Sequence, residues 1–118
     1  MNPRKPRATK GPEEIIQEEI CKFLRIRGWF VKETHGNMYQ SGFPDLRAAH
    51  PDYGTRWIEV KNPKHYVFTA AQLRDFPLMC AHRDFIWIMT AATEDEYAKL
   101  FKPCNWMMYL DVMKWNNG

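Results

Sequence analysis

The chain has 118 residues, 45% hydrophobic, 14% aromatic and 26% charged, with a formal net charge of +3. That length suits a single domain, and the composition excludes a disordered chain, a collagen-like fibre and a small disulfide-stapled scaffold. Cys21, Cys80 and Cys104 are too few and too widely spaced for a disulfide framework and point to reduced thiols; no window approaches the ~18 apolar residues of a membrane span.

Residues 1–11 read as a flexible basic arm, with Arg4, Lys5, Arg7 and Lys10, no acid, and two prolines at Pro3 and Pro6. Taking those four bases from 17 leaves 13 against 14 acids, so residues 12–118, read as one domain, are formally −1. Two readings of the arm stand: a solubilising terminus, or a cationic strap that adds salt-dependent affinity for phosphates. The arm carries no apolar run of the kind that marks a secretory signal.

Pro12 followed by Glu13 and Glu14 is a helix start, because proline suits the first turn and acids suit the positive end of the dipole. Ile16, Ile20, Phe23 and Leu24 recur at helical spacing, which predicts a helix from about Pro12 to Arg27, stopped by Gly28. Trp29–Glu33 reads as a first strand and His35–Gly42 as a loop. Leu46–Ala49 and Thr55–Lys61 read as a hairpin around the turn Pro51-Asp52-Tyr53-Gly54. Thr69 is a good N-cap for a helix over Ala70–Ala81, with Pro77 expected to kink or shorten it. Phe85–Thr90 is almost continuously apolar and reads as a strand buried on both faces, as in a parallel pairing. Thr93–Leu100 reads as a third helix, capped by Thr93 with Glu96 three residues on, and Trp106–Val112 as an extra strand. The order α-β-β-β-α-β-α describes an α/β chain with a mixed sheet flanked by helices.

The strand Trp57-Ile58-Glu59-Val60-Lys61 carries the chemistry. Alternation puts Ile58 and Val60 on one face and Glu59 and Lys61 on the other, so an acid and an amine point at one spot. Alone this is an ordinary charged strand face. The hairpin partner changes its meaning, since Gly42-Phe43-Pro44-Asp45-Leu46 starts that strand with an acid and antiparallel pairing brings Asp45 beside Glu59. Facing carboxylates repel unless a cation lies between them, and hard oxygen ligands suit Mg²⁺. A bound Mg²⁺ polarises a phosphoryl oxygen and acidifies a water, and Lys61 would position that water or offset charge on the phosphorane. Asp52 also follows a proline, but it belongs to the hairpin tip. Glu13 continues the apolar stripe of the first helix, with Gln17 on the same side; it is either a surface acid favoured by the helix dipole or part of a site at the sheet edge. Gln72 sits in the first turn of the second helix.

Glu13-Xaa-Xaa-Ile16-Gln17, Gly42-Phe43-Pro44-Asp45-Leu46, Glu59-Val60-Lys61 and Gln72, in that order, resemble the PD-(D/E)XK nucleases. Over about residues 12–90 the pattern is most similar to the small stand-alone VRR-type nucleases and, more distantly, to archaeal-type Holliday-junction resolvases. The resemblance implies a restriction-endonuclease-like core. It implies that Asp45, Glu59 and the Val60 carbonyl hold Mg²⁺, with Mn²⁺ able to substitute, that Lys61 is catalytic, and that Glu13 and Gln72 assist. The activity it implies is metal-dependent hydrolysis of DNA, endonucleolytic and selective for branched or four-way junction structures, in the cytoplasm of a prokaryotic or phage-infected cell. A homodimer would place two active sites on two strands. A catalytically inactive nucleic-acid-binding module, an RNase and an exonuclease are the alternatives. The Met38-Tyr39-Gln40-Ser41 stretch departs from the pattern.

Elsewhere, His35, His50, His65 and His82 lack metalloprotease spacing and the cysteines lack zinc spacing. Trp29, Trp57, Trp87 and Trp106 read as core or interface residues rather than base-stacking platforms. Tyr39 is the aromatic most readily placed near DNA. Lys64, His65 and Tyr66 form either a phosphate-contacting segment or a solvated loop.

Overall fold

The structure is a computed structural model that describes residues 10–34 and 42–110. The elements are α1 (Pro12–Ile26), β1 (Phe30–Glu33), β2 (Leu46–His50), β3 (Gly54–Val60), α2 (Ala70–Ala81), β4 (Ile86–Met89) and α3 (Glu94–Ala98), followed by 3-10 turns at Lys99–Phe101 and Trp106–Tyr109. The sheet order is β1-β2-β3-β4. The first three strands form an antiparallel meander, and β3 and β4 are parallel, joined by the α2 crossover. Among the described residues no helix is long and apolar enough to cross a membrane.

Each face of the sheet has its own core. Leu46, Ala48, Ile58 and Val60 alternate onto the face covered by α1 and pack with Ile20, Cys21, Leu24, Val31 and Trp87. Phe76 and Met79 of α2 and Trp106 cover the other face, over Ile86, Ile88 and Trp57. A strand buried from both sides has no polar face, which is why β4 is Ile-Trp-Ile-Met with all four residues buried. Gly28, at φ +90, lets the chain turn back from α1 so that the amide of Trp29 donates to the Leu24 carbonyl at 3.1 Å.

Three expectations change. Pro77 lies inside α2 without ending it. The carbonyl deprived of its donor is that of Leu73, an exposed residue, so water can satisfy it. The third helix is α-helical only over Glu94–Ala98. Thr93 accepts from the Glu96 amide as a cap should, but the Glu96 carboxylate accepts from the amide and hydroxyl of Thr90 at 2.8 and 3.0 Å instead of returning to the cap. Trp106–Tyr109 is a 3-10 turn, not a strand; residues 111 and 112 of that expected strand lie outside the described residues. The edge of β4 is already satisfied there by the buried Asn105 side chain, whose Oδ1 accepts from the Ile88 amide at 2.7 Å. Trp106 is thereby free to enter the core against Phe76, ring centroids 5.6 Å apart.

Candidate active site

The site forms where β2 begins. Leu46, the first residue of β2, ends its ladder with β3, opposite Ile58. One step further, side chains continue the ladder that the backbone has left. The Asp45 amide donates to Glu59 Oε1 at 3.2 Å, and the Val60 amide donates to Asp45 Oδ2 at 2.9 Å. A residue in a strand presents its N–H and C=O on the same side, so the Val60 carbonyl faces the edge that Asp45 occupies. Glu13, in the first turn of α1, supplies a third acid. One carboxylate oxygen from each of Glu13, Asp45 and Glu59 lies within 4.8 Å of the others.

Two contacts fix the segment that delivers Asp45. Thr34, just after β1, donates from its amide to the Asp45 carbonyl at 2.9 Å and from its hydroxyl to the Pro44 carbonyl at 2.6 Å. Gly42, at φ +93, lies against α2: a Cβ there would sit 2.3 Å from Asp75 Oδ2 and 3.1 Å from the Ala71 carbonyl. Only glycine permits both the backbone angle and the approach.

Lys61 is buried beside the acids, its side chain 5% exposed. Its three ammonium donors reach Val67 O at 2.7 Å, Glu59 Oε2 at 3.0 Å and Gln72 Oε1 at 3.2 Å. The ammonium also lies 4.6 Å from the centroid of the Phe68 ring. Gln72 completes the group by donating from Nε2 to Glu59 Oε2 at 2.8 Å. Gln72 is held in turn by a capping box with Thr69. The Gln72 amide donates to Thr69 Oγ1 at 3.1 Å, and the Thr69 amide donates to Gln72 Oε1 at 3.0 Å. The start of α2 and the acid-bearing end of β3 are thus locked to each other through one glutamine.

Electrostatically the group holds a surplus of negative charge, three carboxylates against one ammonium. Burial pushes the Glu59 carboxyl up to about 8 from an ordinary 4.5, and the neighbouring Asp45 charge adds to this. The Lys61 charge and the hydrogen bonds from Lys61 and Gln72 oppose it. Asp45 is raised chiefly by burial, against the Val60 amide and the Lys61 charge. Glu13 is raised by burial and then by Asp45, against Lys61. Three converging carboxylates that resist ionising together are a donor set whose repulsion a hard divalent cation relieves, and an adjacent peptide carbonyl at Val60 adds a fourth oxygen. The residues present therefore fit a Mg²⁺-type ion.

All five residues singled out from the sequence, Glu13, Asp45, Glu59, Lys61 and Gln72, come together here. Gln17 donates to Glu33 Oε1 at 2.9 Å. Asp52 lies in the turn between β2 and β3. Tyr66 is engaged with Phe68 and Tyr109, centroids 6.2 and 6.0 Å away, while Lys64 and His65 are exposed. Trp29, Trp87 and Trp106 are buried. Tyr39, residues 38–41 generally, and the arm before Lys10 lie outside the described residues. The sequence reading missed the Phe68 and Val67 contacts to Lys61 and the capping box. The last was visible as Thr69-Xaa-Xaa-Gln72, a Ser/Thr-Xaa-Xaa-Glu/Gln signature.

A solved structure described as a VRR_NUC domain superposes on this chain with a TM-score of 0.62, covering 79% of this chain and 98% of that one. The chain has a VRR_NUC-like fold. The sequence identity to that VRR_NUC domain is 18%, so the likeness is one of architecture. No protein-family model and no curated protein matches the sequence. The VRR_NUC-like architecture agrees with the α/β arrangement read from the sequence, a four-stranded mixed sheet between helices.

Proposed function

We propose that this chain is a divalent-metal-dependent DNA endonuclease that selects its substrate by DNA structure, branched or four-way junction DNA being the class it cleaves. The observation that carries the reading is the convergence of Glu13, Asp45 and Glu59 on one point beside the buried ammonium of Lys61. The VRR_NUC-like fold supports it. In this reading Asp45, Glu59 and the Val60 carbonyl hold Mg²⁺, with Mn²⁺ able to replace it, and Glu13 completes the oxygen set. The bound ion would supply Lewis-acid polarisation of the phosphate and a more acidic water.

The protein's own groups do the rest. Glu59 is held in one orientation by Asp45, Gln72 and Lys61, so its carboxylate would meet the metal without rearranging. Lys61 delivers positive charge beside the scissile phosphate. With all three donors engaged, it reaches substrate by exchanging its longest bond, the 3.2 Å contact to Gln72. Gln72 retains its cap and its bond to Glu59 through that exchange, so the group stays assembled. In a homodimer, two such sites would act on two strands.

A cleavage panel tests this: linear duplex, single strand, flap and four-way junction, each with Mg²⁺, Mn²⁺ or chelator. Cleavage at internal positions that requires metal and favours the branched substrates is expected, and Asp45→Asn and Glu59→Gln should abolish most of it while leaving the circular dichroism spectrum unchanged. Full activity in chelator, or in both variants, would refute the assignment.

A further inference from the structure

Beside the acids lies an aromatic surface that the proposed chemistry does not use. Trp57 and Glu59 are two residues apart on β3 and share the face that α2 covers, and Arg47 pairs directly with Trp57 across the sheet. The Arg47 guanidinium stands 6.0 Å from the Trp57 ring centroid. Phe43, two residues before Asp45, lays its ring on Trp57 with centroids 5.8 Å apart and planes 16° from parallel. Trp57 is half-buried and packed against the core beneath, so it forms a fixed base. Phe43 is 45% exposed. One face of its ring lies against Trp57, and the exposed part of the residue is open to solvent. Pro44 behind it is fully buried, and Gly42 is seated against α2, so the backbone carrying Phe43 is anchored on both sides.

An exposed phenylalanine held flat and backed by a second ring is the arrangement that stacks a nucleobase, whose flat π face needs a rigid partner of the same kind. Residues two apart on a strand are separated by about 7 Å, about two nucleotide spacings at ~3.4 Å each. A base lying on Phe43 would therefore belong to a nucleotide within about two of the phosphate at Glu59. The exposed Arg47 on the same face supplies a cation for the neighbouring phosphate. A base can leave its own duplex for a protein ring only where it is unpaired, since otherwise pairing and stacking must first be broken at a cost of a few kcal/mol.

We propose that Phe43, backed by Trp57, is a base-stacking platform, and that the substrate class of this site is DNA with an unpaired nucleotide close to the cleaved phosphate. This rests on the nuclease reading above and narrows it: a flap or branch with an open nucleotide is preferred to a fully paired duplex.

The test uses the full chain, with Ca²⁺ for binding and Mg²⁺ for cleavage, on a flap DNA carrying 2-aminopurine at the unpaired position and on a fully paired duplex of equal length. Wild type should bind the flap more tightly and quench the 2-aminopurine. Phe43→Leu keeps an apolar side chain but removes the ring, and should weaken flap binding by about 5- to 150-fold, the range for losing one stacked base. It should also restore the fluorescence, with duplex binding and the melting temperature little changed. Phe43→Tyr should behave as wild type. If Phe43→Leu binds and quenches the flap as wild type does, or weakens flap and duplex equally, the platform is overturned while wild-type cleavage keeps the nuclease reading intact. Preferential cleavage of the paired duplex by wild type would overturn the platform as well. If wild type neither binds nor cleaves either DNA, both readings fall.

Discussion

Burial of the Glu59 carboxyl, reinforced by the neighbouring Asp45 charge, makes the protein less stable as pH rises in the absence of metal, and Glu59→Gln should remove most of that dependence. Folded Glu59 holds its proton up to about pH 8, whereas an unfolded glutamate loses it near 4.5. Between those values the folded state binds more protons than the unfolded one, so stability falls with increasing pH. The contribution of neutral Glu59 is fully present below about pH 4.5 and is lost as pH rises through about 8. Each pH unit in that window costs up to about 1.4 kcal/mol, so the full span is on the order of 5 kcal/mol. That is a large share of the ~5–15 kcal/mol that holds a typical domain together. Asp45 and Glu13 are raised as well and act in the same direction. Glutamine keeps the shape and cannot ionise, and Lys61 still faces the Asp45 charge. Urea unfolding followed by tryptophan fluorescence suits the measurement, because Trp29, Trp87 and Trp106 are buried. In chelator, wild type should lose several kcal/mol between pH 5 and 8, and Glu59→Gln should lose markedly less and be the more stable of the two at pH 8. Saturating Mg²⁺ at pH 8 should stabilise wild type, by about 2.7 kcal/mol at one hundred times its dissociation constant, and do little for the variant. A wild-type stability that is flat across this window, or a variant with the same slope, would show that Glu59 is ionised in the fold and that the site carries no such strain.

Other expected outcomes follow from neighbouring contacts. Lys61→Ala should lower single-turnover cleavage by a factor of order ~10² or more while DNA binding in Ca²⁺ stays within a few fold; Lys61→Arg should rescue poorly, since a planar guanidinium does not fit the enclosure of Val67, Gln72 and Phe68. Parental cleavage by Lys61→Ala would reduce the motif to a buried charge pair. Deleting residues 1–10 should weaken DNA binding and flatten its dependence on salt, with cleavage at saturating DNA little changed; an unaltered salt slope would exclude the arm from phosphate contact. Gly42→Ala combines positive φ with a Cβ 3.1 Å from the Ala71 carbonyl, and should destabilise the fold by about 1–3 kcal/mol in urea unfolding and displace the Asp45 segment. Wild-type stability in that variant would mean that the loop does not depend on this approach.

Local rules carried the element order because each segment's signal lies within its own few residues. Pro12 with two acids starts α1, the spacing of Ile16, Ile20 and Leu24 marks its buried face, and the unbroken Ile86–Met89 run marks a strand covered on both sides. The pairing of Asp45 with Glu59 was also legible, because a hairpin's register is set by a short turn and alternation follows from strand geometry. What the sequence could not decide depends on groups distant along the chain. Trp106–Tyr109 has the composition of a strand, yet Asn105 already satisfies the β4 edge and the Trp106 ring finds its place between Phe76 and Phe68. The burial of Lys61 requires the Val67 carbonyl, the Phe68 ring and Gln72 to arrive from the loop and helix beyond it. The alternation of β3 predicts only the face on which that lysine emerges, since alternation is a property of one strand, whereas desolvation is a property of everything packed around it.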